Sequence, residues 1–120
     1  MAWEIEFTDE FGVWWDSLSV PEQEDLATGV DLLESSGPFL RFPQCSGVKE
    51  SRHEHMRELR LQHAGKQYRV LYAFDPRRCA ILLIGGKKAG DDRWYKRYVP
   101  IADGLYDEHL ETLKKEGLLP

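Results

Sequence analysis

The sequence predicts a single α+β domain, in which helices pack on an antiparallel sheet in the order β-α-α-β-β-β-α. Three observations predict it. A helical periodicity runs through residues 9–36, three strand-like segments follow through tight turns, and a further helical pattern comes near the end. The 120 residues and 42% hydrophobic content suit one compact core over residues 1–120, and are too few for two ordinary domains.

The N-terminal third predicts a short strand followed by a pair of helices. Residues 3–7 alternate between apolar side chains and glutamate, which is typical of a strand with one buried face. Apolar residues then recur at i, i+3, i+4 and i+7 from Phe11, as on the inner stripe of a helix. Ser19 and Glu22 have the spacing of a capping box, so a second helix begins there, and the Gly-Pro pair at 37–38 ends it.

Three strands are predicted next, at residues 55–62, 67–74 and 78–85, joined by the turn sequences HAGK and DPRR. Connections this short force antiparallel pairing. The run AILLI is apolar on both faces, so the third strand is expected to be central and covered on both sides. Residues 38–54 are expected to be irregular, and a final helix is expected to begin near Asp103.

The net charge of −5 conceals a strong asymmetry along the chain. Residues 1–40 contain ten acidic residues and no Lys or Arg, whereas residues 41–97 contain fourteen Lys and Arg against six acidic residues. Such a block can create a local positive field that attracts phosphates. The alternative is that the acidic and basic segments simply pair across the fold in weak surface ion pairs.

Several classes of protein are disfavoured by the composition. No run approaches the roughly 20 apolar residues of a membrane span, and the acidic N-terminus does not resemble a signal peptide, so a cytoplasmic location is expected. Cys45 and Cys79 belong to no metal-binding spacing, and we expect them to be reduced, packed thiols. No metal or other cofactor is expected.

Three strings within residues 56–88, MRELR, YRVLYAFDP and AILLIGGKK, resemble the RelE superfamily, most of all its HigB-type and phage-derived RelE-like toxins. The resemblance implies a type II toxin–antitoxin system. It implies an endoribonuclease that cleaves mRNA on the ribosome without a metal ion, inhibits translation and is neutralised by a helix-turn-helix, HigA-like antitoxin. DNA is then contacted only through the antitoxin.

Two other interpretations stay open at this stage. One is a non-catalytic module with the same fold, which binds an antitoxin and acts as a corepressor. The other is a small metabolic domain that shares only the architecture, since fold does not fix function.

Metal-free cleavage of RNA needs a base for the 2′-hydroxyl, cations around the phosphorus and an acid for the leaving oxygen. Alternation along β-strand residues places Arg69 on the face opposite the helical pair. If the register brings Arg60 to the same side, both arginines can bind one phosphate. Together with Lys87, chosen over Lys88, they are the predicted catalytic residues. The alternative for either arginine is an ion pair with Glu58 that braces the sheet.

Further residues are predicted to bind the RNA or to transfer protons. The RNA-binding candidates are Arg57, Lys88, Arg93, Trp94 and Lys96, with Trp94 or Tyr95 stacking on a base. Trp94 could instead anchor its segment to the core. His55 and Glu58 are the possible general acid or base.

Overall fold

The computed structural model describes residues 2–90 and 93–119. It contains a five-stranded sheet with helices on both faces. The strands are β1 (Ile5–Phe7), β2 (Cys45–Gly47), β3 (Arg57–His63), β4 (Lys66–Phe74) and β5 (Ala80–Lys88). The helices are α1 (Asp9–Asp16), α2 (Val20–Ser36) and α3 (Arg93–Lys115), with a 3-10 turn at Gly37–Phe39. Within the described ranges, no helix combines the length and the apolar character that a bilayer crossing requires.

The spatial order of the strands is β1-β5-β4-β3-β2. β3, β4 and β5 pair antiparallel, as their short connections predict, whereas β1 lies parallel to β5 with Ile5 opposite Ala80. The predicted burial of β5 on both faces is confirmed. Leu82 packs with α1 and α2 on one side, and Leu83 packs with α3 on the other.

The two N-terminal helices cover one face of the sheet, and side-chain caps fix where they begin. The Thr8 hydroxyl accepts a hydrogen bond from the Phe11 backbone N–H and donates one to the Leu83 carbonyl, which ties the start of α1 to β5. The capping box predicted for α2 is present, with Ser19 and Glu22 hydrogen bonded in both directions. α1 and α2 thus form a helical hairpin, and α2 begins where the capping box predicts.

Three element boundaries differ from the sequence prediction. The segment expected to be irregular contains β2, a three-residue strand that pairs with the start of β3 at the edge of the sheet. β5 extends three residues beyond its predicted end and includes Lys87 and Lys88. The last helix begins at Arg93 rather than near Asp103, with Pro100 inside it. Burial of residues such as Val99 and Ala102 against the sheet outweighs the backbone hydrogen bond that the proline removes.

Two adjacent glycines in β5 allow tryptophans to approach the sheet from its two faces. A Cβ atom on Gly85 would lie 2.3 Å from the Trp14 ring, and one on Gly86 would lie 2.7 Å from the Trp94 Nε1 atom. Only glycine leaves room for such contacts with rigid aromatic rings. The α3 side of β5 is thus shaped around Trp94, on the same face of the sheet as Arg69.

Candidate functional site

Arg60 on β3 and Arg69 on β4 are directly opposite each other in the antiparallel register. Residues in such a pair project from the same face of the sheet. This face is the one covered by α3, because the neighbouring Tyr68 and Val70 project into the core under α1 and α2. The register therefore places both arginines on the face opposite the helical hairpin, which is the face predicted for Arg69.

Arg69 is buried, and its guanidinium is held by its neighbours. Its Nε atom lies 3.1 Å from Glu58 Oε1, at an angle that does not suit a linear hydrogen bond, so the contact is chiefly an attraction between charges. Its Nη1 group donates to the Tyr68 carbonyl at 2.9 Å and to Gln67 Oε1 at 3.4 Å. The alternative of an ion pair with Glu58 thus describes the position of Arg69.

Glu58 is the centre of this network. Its Oε1 atom accepts a hydrogen bond of 2.6 Å from the Tyr95 hydroxyl, and its Oε2 atom accepts one of 2.9 Å from the Ser46 hydroxyl. Burial and then the hydrogen bond to Glu58 raise the pKa of Tyr95 to about 12. The carboxylate is buried and already carries three partners, so it reaches a substrate only through one of them.

Arg60 is the more accessible member of the arginine pair. It is half-buried, and none of the described carboxylates forms an ion pair with it. Its guanidinium carbon lies 5.2 Å from the centroid of the Phe42 ring, within the range of a cation–π contact. Phe42 is 69% exposed, so an arginine and a free aromatic face lie side by side at the edge of the sheet.

The structure places Lys88, and not the predicted Lys87, on the face of Arg69. Lys87 is opposite Tyr68 in the register and its Nζ atom lies 5.7 Å from the Tyr68 ring, on the face of the helical hairpin. Lys88 is opposite Gln67 and so shares the face of Arg69, with its Nζ atom 5.7 Å from the Tyr95 ring centroid. The predicted strand ended at residue 85, before these two lysines, so its alternation did not extend to them.

Trp94 does not present a ring for base stacking, which corrects its prediction as an RNA-binding residue. The side chain is buried in the core between α3 and β5 and stacks on Tyr98 at 4.7 Å between centroids. The alternative, an anchor for this segment, is the role observed. Arg93 and Lys96 are exposed in the first turns of α3. Their role in RNA binding stays a prediction.

Arg57 and His55 lie outside the Arg60 group. Arg57 is opposite Tyr72 and projects from the hairpin face, where its Nη2 group donates to Cys45 Sγ at 3.1 Å. His55 Nε2 lies 3.1 Å from the Tyr106 hydroxyl, which itself donates to the Phe74 carbonyl. Both residues line a separate cleft at the end of the sheet. The predicted proton transfer by His55 therefore has no geometric link to Arg60.

Phe42 is the residue of this site that sequence reasoning missed, whereas Tyr95 was among the predicted base-stacking residues. Phe42 belongs to no periodic pattern, and only its position beside Arg60 shows its relevance. The group on this face comprises three cations from three strands, two aromatic rings and a buried carboxylate: Arg60, Arg69, Lys88, Phe42, Tyr95 and Glu58. Such a group can bind a phosphodiester and stack on a base.

The fold is that of the RelE toxins. A double mutant of the Escherichia coli toxin RelE in the free state has a TM-score of 0.60 at 17% identity, over 83% of this chain and 97% of that chain. The archaeal RelE–RelB complex from Pyrococcus horikoshii OT3 gives a TM-score of 0.55 at 15% identity, over 76% of this chain and all of that one. At these identities the likeness shows the fold.

Sequence comparisons give the family. The model of the family described as "Phage derived protein Gp49-like (DUF891)" matches residues 13–107. The Mycobacterium tuberculosis protein named "Putative toxin HigB3" is 45% identical over 100 residues, covering 82% of this chain and 86% of that protein. "Putative toxin HigB2" of the same organism is 38% identical over 104 residues, covering 85% of this chain and 52% of that protein. The chain belongs to the Gp49-like family, within the RelE superfamily of toxin–antitoxin toxins.

Proposed function

We propose that this toxin is an endoribonuclease that cleaves mRNA on translating ribosomes, in the cytoplasm, by acid–base chemistry that needs no metal ion. The observation that carries the proposal is the cross-strand pairing of Arg60 with Arg69, with Lys88 on the same face of the next strand. A module that only binds a protein partner has no need for three cations from three strands on one face.

Arg60 is the proposed ligand of the scissile phosphate. It is accessible, lies beside the exposed Phe42 ring, and can donate two parallel hydrogen bonds to phosphate oxygens. Arg69 lies directly opposite Arg60 in the register, and its ion pair with Glu58 fixes its position. Phe42 would stack on a base next to the phosphate.

Proton transfer is assigned to Tyr95 and Lys88. The Tyr95 oxygen would accept the proton of the 2′-hydroxyl while its own proton passes to Glu58, 2.6 Å away. The 2′-oxygen then bonds to phosphorus, and the leaving 5′-oxygen takes a proton from the Lys88 ammonium, giving a 2′,3′-cyclic phosphate and a free 5′-hydroxyl. Tyr95→Phe should therefore lower the cleavage rate by about 100-fold or more, and an unchanged rate in that variant would remove Tyr95 from the mechanism.

The proposed partner is a cognate antitoxin with a helix-turn-helix domain, through which alone the complex would contact DNA. Its support is the family and the solved complexes of RelE toxins with RelB. Antitoxin binding would neutralise the toxin.

The second candidate function is a binding module that shares the fold but lacks turnover. It is favoured by the burial of Arg69 and its ion pair with Glu58, since a locked arginine cannot move to meet a substrate. Such a protein would act as the antitoxin's partner and corepressor.

One experiment separates these functions. The protein is added to a translating extract and to the same mRNA without ribosomes, and new RNA 5′ ends are mapped, with Arg60→Gln as the matched inactive variant. New 5′ ends are expected only with ribosomes and the unaltered protein. Cuts on naked RNA would contradict ribosome dependence, and the absence of cuts in both samples would favour the binding module.

A further inference from the structure

A positively charged cleft, separate from the Arg60 site, lies at the end of the sheet. It has a volume of about 470 Å³ and is placed where β3 begins and β4 ends. Its lining residues are Pro38, Arg41, His55, Arg57, Phe74 and Arg78. The volume falls within the range of small-ligand sites in proteins.

Three arginines converge on this cleft without a carboxylate among the described residues that line it. Arg41 and Arg78 are exposed, and no ion pair is found for either within the described parts of the chain. Arg57 is held in place by its hydrogen bond to the buried Cys45. Like charges gathered in this way repel each other unless an anion lies between them.

The chemistry of the lining favours a nucleotide over a simple anion. Guanidinium groups match phosphate oxygens in geometry and charge. Phe74 and Pro38 add a flat, apolar surface on which a base or a ribose can pack. An acidic peptide would satisfy the arginines but would leave this apolar surface without a matching group.

The cleft is connected to the Arg60 site through two adjacent residues. Arg41 lines the cleft, and Phe42, the next residue, lies beside the Arg60 guanidinium. The segment that leads into β2 therefore carries positive charge and an aromatic ring around the edge of the sheet. A single strand that passes Arg60 can follow this edge into the cleft.

We propose that the Arg41–Arg57–Arg78 cleft binds a second nucleotide of the same RNA strand, a short way along from the phosphate at Arg60. This inference rests on the proposed function. It adds a positioning site that contributes to affinity and register without touching the reacting atoms.

The test uses an RNA oligonucleotide with 2′-O-methyl riboses, which cannot be cleaved through the 2′-hydroxyl. Its dissociation constant is measured by fluorescence anisotropy over a range of salt concentrations for the unaltered protein and for the double variant Arg41→Gln/Arg78→Gln. The logarithm of the association constant falls linearly with the logarithm of the salt concentration. Loss of two phosphate contacts should make this fall shallower by about 1.4 in slope, which corresponds to roughly 25-fold weaker binding at about 0.1 M salt. Lys114→Gln/Lys115→Gln removes the same charge from the far end of α3 and should change neither quantity.

Each other outcome overturns the inference. These are an unchanged slope in the double variant, no binding of the oligonucleotide by the unaltered protein, AMP binding as tight as that of the oligonucleotide, or a loss confined to a poly-glutamate peptide. Because the probe cannot be cleaved, the result is independent of catalysis. A changed slope together with no ribosome-dependent cuts would retain the cleft and reject the nuclease.

Discussion

Glu58 and Arg69 form a buried ion pair across β3 and β4, with 3.1 Å between Oε1 and Nε and with both side chains 6% exposed. Removing one partner of such a pair leaves an uncompensated charge in the interior, which typically costs about 3–5 kcal/mol. Glu58→Ala should therefore lower the free energy of unfolding by about that amount, measured by urea denaturation. Glu54→Ala, at an exposed position four residues earlier, should change it by no more than about 0.5 kcal/mol. A small effect at Glu58 would mean that Arg69 is reached by solvent.

Arg60 is expected to matter for activity and little for stability, which is the reverse of Glu58. Its guanidinium contacts Phe42 at the edge of the sheet and is not part of a described ion pair. Arg60→Gln should lower the rate of ribosome-dependent cleavage by about 100-fold or more, as loss of a charge-stabilising donor does in other enzymes. The measurement is primer extension on mRNA from a translating extract. The exposed Lys66→Gln serves as a charge-matched control, and equal rates in the two variants would exclude Arg60 from catalysis.

The two adjacent lysines of β5 should behave differently, because they project from opposite faces of the sheet. Lys88→Gln removes a cation from the face of Arg69, whereas Lys87→Gln removes one from the side of Tyr68. We expect cleavage to fall by about 100-fold or more in the first variant and by less than about threefold in the second. Single-turnover cleavage assays give the two rates. The opposite ranking would restore Lys87 as the reactive residue.

Stability should depend on the ionisation of Glu22 in acid. The hydrogen bond from Tyr68, followed by those from Ser19, lowers the pKa of Glu22 from 4.5 to about 2. The ionised carboxylate therefore stabilises the folded state above about pH 4.5, and this contribution is lost as the pH falls towards 2. The melting temperature of the unaltered protein should exceed that of Glu22→Gln near neutrality, and the two should converge near pH 2.

Glu24→Gln is the control for this comparison, since Glu24 is exposed on the same helix. Its difference from the unaltered protein should stay level between pH 2 and pH 6. A difference for Glu22→Gln that did not shrink in acid would show that the hydrogen bonds to Tyr68 and Ser19 act independently of the charge.

Gly86 and Gly104 offer a matched pair of glycine substitutions. A methyl group at Gly86 would meet the rigid Trp94 indole at 2.7 Å, whereas one at Gly104, within α3, meets no atom within 4 Å. Gly86→Ala should destabilise the protein by about 1–3 kcal/mol. Gly104→Ala should stabilise it by about 0.5–1 kcal/mol, because alanine loses less conformational freedom in a helix. Thermal unfolding measures both, and a neutral Gly86→Ala would imply that Trp94 moves aside.

The parts of the fold that the sequence predicted are those specified by local patterns. The capping box at Ser19 and the turn between β4 and β5 depend on neighbouring residues, and the apolar alternation of β4 correctly places Arg69 on the face opposite the helical hairpin. The first turns of α3 were not predicted. Proline normally disrupts a helix interior, but burial of the surrounding face keeps the helix continuous through Pro100.

The candidate site depended more on long-range contacts, and was predicted less well. Strand alternation predicted the face of Arg69, but its pairing with Arg60 needed the register of β3 and β4, and the choice between Lys87 and Lys88 needed the true end of β5. Phe42 reaches Arg60 through a loop, and the Arg41–Arg57–Arg78 cleft gathers residues from three separate segments. No periodicity within a single segment can indicate such contacts.

The distribution of the candidate site along the chain also bears on how a cell can make this protein safely. Lys88 lies at the end of β5 and Tyr95 in the first turn of α3, so both are synthesised after the strands that carry Arg60 and Arg69. Domains are completed during synthesis in N-terminal to C-terminal order. The candidate site is thus incomplete in a growing chain until β5 and the start of α3 have been made, so under the proposed function such a chain does not yet cleave RNA.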